Sequence, residues 1–401
     1  MTAPSGATRH PPPPAPAWRA DIDRLRVLGM AAVFAIHVSF VFVPWAPWHV
    51  QGRARSAALG QVVLALAPWV MPLFMLLAGE SAYYSLRKRG RRSFVAERVR
   101  HLLVPLLIGI LVLVPPQVYV ERRLSGAFDG SFVAFYPHFF EGIYPRGNFA
   151  WHHLWFLGYL LVFGVAGLPL FHWLDGARGR AWVASAGARA ARWGGLLVVA
   201  LPVVASRVVL SETIALLGGT PADWHNRTLL PGAFVAGYLF ATDGRLLRAA
   251  TGRWREQLAI ALLLTAGFFA YAATGDPVAR VPPAGTPASF LFWGAYAATG
   301  WCWVMALLGA VRRLGGGGAL LRRASDSVLP FYLVHQPVIV LVAFVVVQRP
   351  WGIAASAATL AAVALLLSLA CTLLLELLTG RWRGGLVLGG NGHGAHPAAP
   401  T

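Results

Sequence analysis

Ten apolar runs, near residues 27–43, 59–80, 101–116, 154–174, 195–210, 229–241, 257–273, 288–310, 327–347 and 353–378, limit what this 401-residue chain can become. Such runs suit helices crossing a hydrocarbon layer about 30 Å thick, where every backbone polar group must find its partner without water. Composition agrees, since 57% of residues are hydrophobic and 12% charged, about half the charged share of a soluble domain. The sequence therefore predicts an all-α, polytopic bundle of about ten helices in a lipid bilayer.

A formal net charge of +19 has two possible meanings, and the connectors between the runs choose between them. Nucleic-acid binding calls for a continuous basic surface. Most of the 34 basic residues instead fall in alternate connectors, around Arg19 to Arg26, Arg87 to Arg100, Arg178 to Arg192, Arg245 to Arg255, Arg312 to Arg323 and Arg381 to Arg383. This alternation is the positive-inside pattern, so it predicts both termini in the cytoplasm and no nucleic-acid partner. The expected organisation is a disordered, proline-rich tail over 1–20, a membrane domain over 21–380 and a second disordered tail over 381–401. On the opposite side the longest connector, 117–153, is too aromatic for disorder and predicts a structured lid with short interfacial helices. The polar cluster at 223–227 reads as solvated loop, the glycines at 315–318 as a flexible connector, and Arg207 as a snorkelling residue. Cys302 and Cys371 lie inside apolar runs, where a thiol behaves as a small hydrophobe; neither a disulfide nor a metal site is expected.

Ionisable residues inside the runs carry the functional reading. Arg26 and His37 are separated by ten residues, and eleven helical steps return a side chain to nearly the same azimuth about 16 Å further along. His37 is thereby placed near mid-depth, facing protein or a polar cavity rather than lipid. His335 follows a cap-like Ser327 by about 12 Å of helix and reaches a similar level. Two histidines at one depth predict a shared cavity, and an imidazole titrating near 6.5 suits proton transfer. Arg26, Arg87, Arg91 and Arg98 suit an anionic, phosphate-bearing donor, because guanidinium forks match phosphate oxygens. His153 and Trp155 open the fourth run on the side of a hydroxylated acceptor. His153 is expected at the cavity's outer mouth, since a helix running inward from it cannot carry it to mid-depth without a re-entrant bend. Acyl transfer across the bilayer fits this arrangement. The rival is a non-catalytic transporter or polymer-export component whose histidines relay protons, although the inverted repeats common in transporters are not evident.

Several motifs occur together in one order: Asp23 with Arg26 to His37, Met71-Pro72-Leu73-Phe74 to Gly79, Glu97-Arg98 with Leu102-Leu103-Val104-Pro105, His153-Leu154-Trp155-Phe156-Leu157, and Tyr332-Leu333-Val334-His335-Gln336-Pro337. Over residues 20–378 this resembles acyltransferase family 3, most closely its branch containing the glucan biosynthesis protein C, implicated in succinylating periplasmic glucans. The resemblance implies a ten-helix protein of the bacterial inner membrane that moves acetyl or succinyl groups from acyl-coenzyme A to extracytoplasmic carbohydrate hydroxyls, with no bound cofactor. It implies a catalytic role for His37 and a donor-binding or structural one for Arg26, while His335 is read as a second catalytic residue from its matching depth. Asp23 is left structural. Glu80 departs from the family pattern, standing where relatives often carry an apolar or aromatic residue.

Overall fold

The computed structural model describes residues 19–193, 204–205, 208–209 and 229–379. Among them the secondary structure is helical, apart from an isolated bridge between Ile143 and Phe149. Helix α1 (Ala20–Phe40) opens with Asp21 and Asp23 in its first turn, where carboxylates oppose the partial positive charge of the helix end. Helix α2 (Ala57–Arg98) starts at Ser56, whose hydroxyl accepts from the Leu59 amide at 3.3 Å. It turns at Gly90, whose φ of 73° suits a residue without a side chain. A π-helical turn (Val99–Leu103) leads into α3 (Val104–Val112), then α4 (Pro115–Leu124) and α5 (Phe132–His138). A 3-10 turn (His152–Leu154) precedes α6 (Trp155–Ala166), which bends by 45° into α7 (Leu168–Asp175), and α8 (Ala177–Trp193) follows. The remaining helices are α9 (Leu230–Thr242), α10 (Gly244–Thr251), α11 (Trp254–Ala273), α12 (Pro287–Val311), α13 (Ala319–Asp326), α14 (Val328–Val346) and α15 (Ile353–Leu378).

Among the described residues, five helical runs are long and apolar enough to cross a membrane, or six if the bent α6–α7 pair is one span, against the ten expected for the whole chain. The differences have local causes. The two runs expected at 59–80 and 101–116 join into one helical path, Ala57–Leu124. Helices α3 and α9 have 9 and 13 residues, too few to cross alone. Helix α1 carries Asp21, Asp23, Arg24 and Arg26 in its first two turns, which lowers its hydropathy. The expected run at 195–210 falls mostly outside the described residues. So do the tail 381–401, nearly all of the tail 1–20, Arg207 and the cluster at 223–227.

Helix α14 is central, with 72% of its apolar window buried, whereas α15 and α11 reach 22% and 17% and turn Leu366, Leu377 and Leu263 outward. Outward leucines on a helix this apolar suit contact with lipid tails. Two glycines let α2 and α9 cross at backbone distance. A Cβ on Gly79 would lie 1.9 Å from the Phe234 carbonyl oxygen, and one on Gly237 would lie 1.9 Å from that of Leu76. The apolar core falls into two clusters whose seam crosses α1 between Ile36 and Val38 and α14 between Val334 and Ile339. His37, His335 and Gln336 occupy that seam, so a polar layer separates two dry ones.

Candidate active site

Three imidazoles from three segments meet in the polar layer. The rings of His37 and His335 are 4.9 Å apart between centroids, and those of His335 and His153 are 5.5 Å apart, both edge to face. His335 is fully buried, His153 nearly so, and His37 is partly exposed beside Phe40 and Trp48. Each ring is oriented by a backbone carbonyl, which can only accept. His37 Nδ1 donates to Val33 O at 2.8 Å, His335 Nδ1 to Tyr332 O at 2.7 Å, and His153 Nε2 to Leu333 O at 3.1 Å. A neutral imidazole that donates from one nitrogen offers a lone pair on the other. In His335 that atom, Nε2, is buried without a partner among the described residues, and in His153 it is Nδ1. The sequence supplies the carbonyl that holds His153. Pro337 sits inside α14 and has no amide hydrogen, which frees the carbonyl four residues earlier, that of Leu333.

This corrects the expectation that His153 lies at an outer mouth of the cavity. The 3-10 turn before α6, with His152 at a φ of 39°, folds the chain so that His153 reaches α14 at the level of His335. The Tyr332 hydroxyl closes the contact by donating to the His153 carbonyl. Trp155, one turn on, packs edge-on against Phe156 and Tyr159 along α6.

At the other end of the same face of α1, Arg26 is buried in a knot of polar groups. Its Nη1 donates to Asp23 Oδ1 at 3.1 Å and lies 3.4 Å from Ser325 Oγ, and the Ser325 hydroxyl donates to Asp23 Oδ1 at 2.7 Å. Ser325 ends α13, which leads into α14, so Arg26 and His37 both face the α13–α14 segment. Between them lies a narrow apolar pocket lined by Met30 and Val33 of α1, Met71 and Phe74 of α2, and Val328 and Tyr332 of α14. Glu80 closes the knot from α2, accepting from Arg19 Nη1 at 3.0 Å. Arg24 turns away and donates to the carbonyls of Leu314, Gly315 and Gly316, tying down the glycine connector.

The family model of an acyltransferase domain, acyltransferase family 3, matches residues 19–377. The chain belongs to that family. It is a membrane acyltransferase for groups other than amino-acyl groups. No curated protein and no solved structure matches it.

Within this family 3 chain, the arginines expected to bind donor do not all converge. Arg98 is buried over the Phe94 ring, 4.8 Å from its centroid, beside Gly164 of α6. Arg87 stacks over Tyr83 at 5.4 Å, and Arg91 reaches His172 of α7. Sequence reading missed Gln336, although it lies inside a quoted motif. Its amide joins the polar layer, donating to Gln117 Oε1 at 2.9 Å.

Arg26→Lys is expected to raise the half-saturating donor concentration about tenfold, because a lysine replaces a planar fork by a point charge and cannot serve Asp23 and a ligand together. Among the described residues the buried Arg26 Nε has no hydrogen-bond partner. Donor saturation curves of purified protein check this, and an unchanged curve would reduce Arg26 to a structural tie.

Proposed function

We propose that the chain moves an acetyl or succinyl group from acyl-coenzyme A, reaching the Arg26 end from the cytoplasm, to a hydroxyl of a glucan or other carbohydrate at the histidine end. In this reading both termini are cytoplasmic, the membrane is a bacterial inner membrane, and residues 21–380 form the catalytic domain between two tails. The observation that carries it is the polar layer. Three rings, each oriented by a backbone carbonyl, pack edge to face against the helix face that carries Arg26, with an apolar pocket lined by Met30, Val33 and Tyr332 between the two levels.

The chemistry follows from those positions. Arg26 holds the anionic part of the donor, and the apolar side chains between it and His37 part to admit the thioester arm and exclude water. His37, partly exposed, takes the acceptor proton as the hydroxyl oxygen bonds to the acyl carbon and the thioester sulfur departs with its electron pair. His335 orients His37 and accepts part of the charge. Arg87, Arg91 and Arg98 attract the donor electrostatically on the same side.

Sealed vesicles test this directly. With labelled acetyl- or succinyl-coenzyme A supplied only at the face carrying Arg26, label should appear on carbohydrate at the opposite face, and donor should be consumed in proportion. A transporter or export component would move substrate with no thioester cleavage, and that result would overturn the proposal.

A further inference from the structure

A second polar cluster adjoins the histidine layer, and the mechanism above leaves it unused. His49, in the connector after α1, is buried and donates from Nδ1 to Glu121 Oε2 of α4 at 2.6 Å. A carboxylate on Nδ1 fixes the tautomer, so Nε2 is an acceptor. Among the described residues that atom meets one long contact, 3.4 Å, from the Gln336 amide nitrogen, which already donates to Gln117. A contact of this length is weaker than an ordinary hydrogen bond, and a hydroxyl can replace it. The same Gln336 side chain also reaches His37. His152 stands edge-on to His49, 4.3 Å between centroids, with its Nε2 buried and without a partner among the described residues. Its φ of 39°, in the left-handed region, is a strain of the kind that collects at binding sites. Tyr144 completes the cluster, its hydroxyl 3.3 Å from Glu121 Oε2 and its ring 5.0 Å from that of His152.

The geometry points to this cluster as the acceptor subsite, in which His49 Nε2, aligned by Glu121, receives a hydrogen bond from a carbohydrate hydroxyl and holds it against His37. The inference rests on the acyl-transfer reading and adds the acceptor's chemical class. A neutral sugar fits. Trp48, half-buried beside His37, supplies an aromatic side chain for its apolar side, and Arg122, whose guanidinium lies over the Tyr144 ring, is already committed to Asn148, Pro145 O, Gly147 O and Glu121. The side chains that form the cluster, His49, Glu121, Tyr144 and His152, include no arginine or lysine to neutralise an acidic sugar. Glu121 acts through His49 and is a positioning residue.

The test uses full-length protein in vesicles, labelled acetyl-coenzyme A, and carbohydrate extracted from the outer surface of cells lacking the gene, split by anion exchange into neutral and anionic fractions. Label should enter the neutral fraction. His49→Gln and Glu121→Gln should each raise the half-saturating concentration of that fraction about tenfold or more, with donor saturation within about twofold of the unaltered protein. The double variant should be no worse than His49→Gln alone, because one residue works through the other. Glu121→Asp should recover part of the loss, and it carries the test if Glu121→Gln fails to fold. Label confined to the anionic fraction, acceptor saturation unchanged in the variants, or losses that multiply in the double variant would each overturn the subsite while leaving acyl transfer standing. An unaltered protein that transfers nothing to either fraction would remove both.

Discussion

Replacing His37 with alanine is expected to lower acyl transfer by about 100-fold or more, the usual scale for losing a positioned proton acceptor. The fold should survive. His37 is partly exposed in a polar layer, and its one described backbone bond is to the Val33 carbonyl of its own helix, so truncation leaves α1 intact. His335→Gln is expected to cost nearly as much turnover, because the two rings are 4.9 Å apart and the remaining nitrogen of His335, Nε2, is buried without a partner among the described residues. Residues acting as one unit give losses that do not multiply, so the double variant should resemble the worse single one. Initial rates with purified protein, beside a thermal melt, separate chemistry from folding. Near-normal turnover in folded His37→Ala would take His37 out of the mechanism.

The Arg26 to His37 axis was legible in the sequence because it is a local property: helical periodicity alone sets two residues of one helix on one face. The pairing of His37 with His335 required depth as well, and counting residues from each helix end supplied it. The level of His153 was not legible, since it depends on a carbonyl that Pro337 frees on another helix and on a 3-10 turn with one residue at positive φ. The His49–Glu121 pair was hidden for a different reason. Its members lie 72 residues apart, in a tryptophan-rich connector and beside two arginines, and each residue alone has an ordinary surface explanation. Apolar runs marked where helices form, whereas the described residues show five or six full crossings by length and composition. A run such as α3 followed by α4 is apolar without being a single straight element, and periodicity does not report where prolines restart a helix.

Gly79→Ala is expected to destabilise the protein by roughly 3 kcal/mol or more, at or above the upper end for forcing added volume into a packed interior. The added carbon would meet backbone, the Phe234 carbonyl at 1.9 Å, and backbone cannot rotate aside as a side chain can. Gly237 faces Leu76 in the same way, so relief would require α2 and α9 to separate along the whole crossing. Activity should fall as well, because Phe74 lines the apolar pocket and Glu80, next to Gly79, holds Arg19 beside the Arg26 knot. Gly237→Ala should behave alike, whereas Gly267→Ala in α11, with nothing within 4 Å of the added carbon, should be neutral or slightly stabilising through helix propensity. Melting temperatures of the three variants in one detergent decide the matter. If Gly79→Ala melts with the Gly267→Ala control, the close crossing of α2 and α9 is not what holds the bundle together.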